Sequence, residues 1–242
     1  MSEERRSLKE TLRINHDLVE ELRTPYRPFS GQEASERYIA FFDILGFSNA
    51  VLNRFDETLR IYENLLDKLR ILRCFESGVS INVVSDSIVL SSTSFDALLS
   101  ICKLAQAIAL LENCLVRGGI GYGKHVDIQD GENRYIVSQA LVNAVVVEKT
   151  VRWPCIAIDE HIEIPSKHWA PRTEALRRSI VHYQGLNLVC PLNLFWGSTA
   201  VDRVQHMKET HPEHTDKFDW FIGFVEQILM GAELVPDSYD GP

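Results

Sequence analysis

The sequence predicts an α+β fold with a β-α-β-β-α-β order at its centre. Three observations carry this. The apolar run Ile39 to Phe42 reads as a first strand, closed by Asp43 and by a turn at Gly46. A helix-period stripe follows it: Leu52, Phe55, Leu59, Tyr62, Leu66 and Leu69 recur at steps of three and four. Two β-rich runs in GVSINVVSDSIVLSS (78–92) then flank Ser85-Asp86, which reads as a hairpin with Asp at its bend.

Taken in order, residues 7–23 read as a polar helix with sparse leucines, and TPYRPFSGQ (24–32), with its prolines and glycine, as a linker. The first strand spans 37–43. The helical pattern from Asn49 to about Arg73 is expected to pack its stripe in the core. A second helix, apolar on most sides, covers 95–114. The glycine-bearing LVRGGIGYG (115–123) is a strand, followed by a turn at Gln129–Glu132. RYIVSQ is a short strand leading into the helix ALVNAVVVEK. Trp153-Pro154 breaks the chain, and CIAID is another short strand. Further on, HYQGLNLVCPLNLFWG reads as a hairpin and residues 215–233 as a final helix. The boundaries expected are 1–36 for an N-terminal helical appendage and linker, 37–165 for a catalytic domain, and 166–242 for an extension that packs on the core and supports a dimer.

Composition narrows the class. A chain of 242 residues can bury one good core, and 45% hydrophobic with 24% charged residues is ordinary for a globular protein. A formal net charge of −9 argues against a general nucleic-acid or anionic-membrane binder. Cys74, Cys102, Cys114, Cys155 and Cys190 are odd in number and form no CxxC, which points to reduced thiols. No apolar run is long enough to span a bilayer, and MSEERRSLKE lacks a signal-peptide core, so a cytoplasmic location is expected.

The chemistry starts with two carboxylates. Asp43 ends the first strand, and Asp86 sits on the hairpin expected beside it. A buried carboxylate is costly unless something pairs with it, although Asp43 is also a residue type that caps helices. Two carboxylates at neighbouring strand ends suit a hard divalent cation, which favours carboxylates together with substrate phosphates. The loop Leu45-Gly46-Phe47-Ser48 opens a helix, and its N–H groups are able to cradle phosphate oxygens. KETHPEHTDK, carrying His211 and His214 just after His206, reads as a solvated loop.

At this point a resemblance becomes specific. FFDILGFS, VVSDSIVL, VRGGIGYG and SQALVNAVVVE resemble, in order and spacing, four signature segments of the class III nucleotidyl cyclases. They cover about residues 37–160. The resemblance implies a ferredoxin-like core working as a head-to-tail homodimer with composite sites. It implies that Asp43 and Asp86 hold two manganese or magnesium ions with help from the Ile44 carbonyl, and that Gly46, Phe47 and Ser48 meet the phosphates. It also implies that Arg117 contacts the triphosphate while the ribose 3′-OH attacks the α-phosphate.

The departures are informative. The position that reads the base in purine cyclases is Asn82 here, uncharged and able both to donate and to accept. The helix positions that supply Asn and Arg in the family are Val142 and Val146, with Asn143 one residue off. Arg152 and Arg134 are the nearby candidates to replace the missing cation. Such a short chain without purine-reading residues looks most like the pyrimidine cyclases of bacterial Pycsar antiphage defence. That likeness implies UTP as substrate, cyclic UMP as messenger and a separate effector. Trp153-Pro154-Cys155-Ile156 stands where many of those relatives have Tyr-Pro-Arg-Ile. Cytidylate cyclisation and a nucleotide-binding module without turnover remain open alternatives.

Overall fold

The structure is a computed structural model that describes residues 26–72, 78–169, 179–191, 197–230 and 234–236. The polar helix expected over 7–23 lies outside the described residues. The chain divides into two compact units. In the smaller, residues 26–34 accompany Val126–Val137. There Tyr26 bonds to Asp130, its ring meets that of Tyr135 edge-on at 6.0 Å, and Arg134 Nε donates to Asp127 at 2.8 Å.

The elements in chain order are β1 (Ser35–Ile44), α1 (Phe47–Asn53), α2 (Phe55–Leu72), β2 (Val79–Val84), β3 (Ser87–Ser92), α3 (Phe95–Leu111), β4 (Val116–Asp130), β5 (Asn133–Ser138), α4 (Gln139–Thr150), β6 (Ile156–Ile158), β7 (Ile180–Tyr183), β8 (Leu186–Val189), α5 (Gly197–Thr210) and α6 (Thr215–Leu229). The sheet runs β2-β3-β1-β4-β6-β8-β7, with β5 paired to β4. Its first four strands are antiparallel neighbours, which is the ferredoxin-like arrangement, and β6 then joins β4 in parallel. The fold is α+β, as the sequence predicts.

Strand β1 sits at the centre because both of its faces are apolar. Ala40, Phe42 and Ile44 enter the main core with Leu65 and Leu69 of α2 and with Leu98, Ile101 and Cys102 of α3. Ile39 faces the other way, onto Ala140 and Ala144 of α4. Burying a side chain the size of Phe42 or Leu90 contributes about 1.5–3 kcal/mol each. Helix α4 reaches the sheet because β4 offers only glycine, at positions 119 and 121, where the two approach most closely. A Cβ at Gly119 would lie 2.3 Å from the Ala144 carbonyl oxygen, and one at Gly121 2.5 Å from that of Ala140.

A second apolar cluster lies under the C-terminal helices. Phe221, Phe224, Val225 and Ile228 of α6 join Val204 of α5 and Val181 and Leu188 of the last hairpin. Trp153 and Trp220 stack at 5.8 Å. The turn of that hairpin is Gln184-Gly185, with φ of 51° and 79°, the paired left-handed conformation that two-residue hairpins favour.

Two expectations are corrected and one holds. The helix after β1 is two helices, broken at Arg54, whose φ is −145°. The break shifts the helical phase, so Leu52 (83% exposed), Phe55 and Leu59 face solvent, while Leu65, Leu69 and Leu72 form the buried stripe. Lys208, Glu209 and Thr210, expected in the KETHPEHTDK loop, instead end helix α5, which places Ala200, Val204 and Met207 on one buried face. Cys102, Cys155 and Cys190 are buried and unbridged, as composition suggests.

Candidate active site

Both carboxylates sit at one end of the sheet. Asp43 is the penultimate residue of β1, in register with Ser87 of β3 on one side and Arg117 of β4 on the other. The β2–β3 turn is fastened to it. The Ile44 N–H donates to the Asp86 carbonyl at 3.1 Å, and the Tyr62 hydroxyl donates to the Ser85 carbonyl. Ser85 adopts φ 56°, a conformation that tight turns demand.

The electrostatics of this corner are unfavourable. Burial, and next the charge of Asp86, push the Asp43 carboxyl up to about 6, against a lowering by Arg117. Arg117 is itself shared. It pairs with Asp43 at 3.5 Å and more closely with Glu148, a buried carboxylate of α4. Ala140, Ala144 and Glu148 recur at four-residue steps on the face of α4 that meets the sheet. The close glycine packing therefore delivers Glu148 to Arg117, a role that nothing in the linear pattern announces.

The remaining positions fall in different places. Asn82 is in register with Val89, which is in register with Phe41, so it shares the face of the sheet with Asp43. Leu45 N–H donates to the Leu115 carbonyl at 2.9 Å and anchors the loop. Gly46 turns it at φ 79°, and a Cβ there would lie 3.2 Å from Nε2 of His214. Phe47 packs on Tyr62 at 5.2 Å between rings, and Ser48 is exposed. Arg152 is engaged elsewhere: it pairs with Asp216 at 3.4 Å and lies 5.1 Å over the Trp153 ring. Val142 and Val146 are 61% and 57% exposed on α4, and Asn143 Nδ2 donates to the Tyr122 carbonyl at 3.0 Å.

A cleft of about 340 Å³ borders this loop. Ile44–Phe47 form one side, Arg54 at the break between the following helices and Tyr62 of the second of them another, and His211, His214 and Lys217 of the C-terminal extension close it. His211 and His214, expected in a solvated loop, are half-buried walls of the cleft. The sequence signal for this wall is the density of imidazoles and Lys217 around Pro212, a composition that a polar loop shares.

Among the described residues no group of three or more His, Cys, Asp or Glu is arranged to hold a metal ion. A carboxylate pair with a raised acid is nevertheless short of positive charge, and its all-oxygen donors, with the Ile44 carbonyl next in the chain, fit a hard cation that brings further ligands of its own. No helix among the described residues is long and apolar enough to cross a membrane.

No family model and no curated protein matches the chain. Several solved structures resemble it in shape. The adenylyl cyclase CyaB from P. aeruginosa is 16% identical over 52% of this chain and 77% of that one, with a TM-score of 0.45. A bacterial light-regulated adenylyl cyclase is 14% identical over 85% and 68%, with a TM-score of 0.48. A class III adenylyl cyclase-like ATP-binding protein from Pseudomonas aeruginosa is 11% identical over 71% and 40%, with a TM-score of 0.47. Likeness at this level assigns no activity to the chain.

Proposed function

We propose that the protein is a pyrimidine nucleotide cyclase that converts UTP to 3′,5′-cyclic UMP and pyrophosphate. The observation that carries this reading is the carboxylate pair, Asp43 and Asp86, at adjacent strand ends beside the Leu45–Ser48 loop, within segments that resemble the cyclase signatures. Asp43, Asp86 and the Ile44 carbonyl would hold manganese or magnesium, which when bound neutralises phosphate charge and favours ionisation of the ribose 3′-OH.

The chain's own groups do the positioning. The N–H groups of Gly46, Phe47 and Ser48 orient the phosphates at the opening of α1, where a helix leaves N–H groups unbonded. Arg117, braced by Glu148, keeps positive charge beside Asp43. Asn82 meets the base edge with an amide that can both donate and accept. The 3′-oxygen then attacks the α-phosphorus, the bond to the β-phosphate oxygen breaks, and pyrophosphate leaves. Holding these atoms in line and matching their charge accounts for the catalysis. The exposed valines of α4 suit a face covered by a second copy, consistent with a homodimer that shares its sites. Cyclic UMP would act as a cytoplasmic messenger on a separate effector in antiphage defence.

The test is incubation with ATP, GTP, CTP and UTP separately in manganese, with products identified by mass. Cyclic UMP is the expected product. Cyclic CMP would move the assignment to cytidylate cyclisation, and a cyclic purine would overturn the role of Asn82. Asp43→Ala and Asp86→Ala should each lower turnover by at least about 10³-fold. A second reading rests on Val142 and Val146, apolar at the two helix positions where the resembling family has Asn and Arg: a module that binds nucleotide without turning it over. Tight nucleotide binding with no product would select it.

A further inference from the structure

Most cations near this site are already paired. Arg117 is held by Glu148 and Asp43, and Arg152 by Asp216. In the cleft beside the loop, Arg54 faces Glu57 at 4.0 Å, and Glu213 faces His211 at 3.6 Å. Lys217 is different. It lines the same cleft as Ile44–Phe47, is half-buried, and forms no ion pair among the described residues. Its charge is nonetheless felt at Asp43, where it acts in the same sense as Arg117. Helix α6 is held rigidly by the second apolar cluster, so Lys217 is presented from a fixed base.

We propose that Lys217, carried by the C-terminal extension, is a positioning residue that holds the terminal phosphates of a nucleoside triphosphate at the Gly46 loop. The inference rests on the cyclase reading for its substrate class and deepens it. An ammonium on a four-carbon stem suits this role, because it is a compact charge with rotatable donors, able to follow a phosphate that swings as the bond to it breaks. The extension is then a wall of the site. His214, whose ring lies behind Gly46, keeps that wall against the loop.

Lys217 has two effects of opposite sign, and this makes the test discriminating. It attracts triphosphate but repels a divalent cation from Asp43. Lys217→Met keeps the apolar stem and removes the charge; Lys217→Arg restores charge. Binding of a 3′-deoxynucleoside triphosphate, which cannot cyclise, should weaken about tenfold in Lys217→Met and recover in Lys217→Arg. Binding of the matching monophosphate should change less than about twofold. Manganese alone should bind the Met variant about two- to threefold more tightly. A merely structural lysine would weaken all three ligands together. Unchanged triphosphate affinity in Lys217→Met, or equal losses for mono- and triphosphate, would overturn the proposal, as would a wild-type protein that binds no triphosphate. If the wild type binds triphosphate yet yields no cyclic product, the cyclase reading falls, while the pattern of affinities still decides Lys217.

Discussion

The two ends of this molecule's core differ in what they optimise. Under the C-terminal helices, Phe224, Val225 and Ile228 are fully buried among apolar neighbours, and the Trp153–Trp220 stack seals the rim. At the end of β1, the fold instead crowds Asp43 and Glu148 around one guanidinium, with the charge of Asp86 close enough to Asp43 to push its acid up. The first region lowers the free energy of the fold; the second raises it and keeps its geometry only because β1, the hairpin and α4 over-determine it. Chemistry is to be sought in the second kind of place, which the fold maintains against its own stability.

The largest expected effect concerns the stable end. Phe224→Ala removes a fully buried aromatic and should cost about 3–5 kcal/mol, read as a fall in the unfolding midpoint in urea. Nucleotide affinity of the molecules that stay folded should change less than about twofold. If stability hardly moves, the contrast between the two ends is lost.

The next effect concerns the costly end. The Asp43 acid stands at about 6 in the folded chain against 3.8 in the unfolded one. Between those values the folded chain binds more protons, so metal-free stability falls as pH rises through the window. Asp43→Asn removes that penalty. At pH 7 it should be more stable than wild type by on the order of 1–3 kcal/mol, and the gap should close below about pH 4. Manganese competes with the same proton, so its affinity for the wild type should fall as pH drops below about 6. An Asn variant that is less stable at pH 7 would show that the Arg117 contact outweighs the repulsion.

The smallest effect lies where the two regions touch. Gly46→Ala places a side chain at φ 79°, with its Cβ 3.2 Å from His214. The strain should cost about 1–2 kcal/mol. It should also weaken triphosphate binding, because the loop and the C-terminal wall must separate. Thermal denaturation and the 3′-deoxynucleotide titration read the two losses.

Much of this is legible in the sequence, and the reasons are specific. The strand ending on Asp43 and the Ser85-Asp86 hairpin announce themselves through β-rich runs and a turn residue, signals that need only local sequence. Asn82 can be placed on the Asp43 face by counting pleats. The break at Arg54 cannot be read, since no proline or glycine marks it and the leucines continue across it. Helix α5 is hidden because its buried face is only Ala200, Val204 and Met207 in a polar setting. Glu148 is legible as the last residue of a segment that resembles a cyclase signature, but its pairing with Arg117 is not, and neither is the place of Lys217 in the cleft beside the Gly46 loop: no period or spacing encodes such long-range neighbours.

The sheet does not stop where the ferredoxin-like strands do. Strand β6 is covered by β4 on one side and by β8 on the other, and β7 follows β8. A chain ended at residue 165 would strip β6 of one neighbour and leave its N–H and C=O groups as an open border, the template on which strands of separate molecules add to one another. The last third of the chain is therefore also a continuation of the sheet: its hairpin pairs the free side of β6 and moves the border out to β7, where the His182 N–H donates to the Leu234 carbonyl.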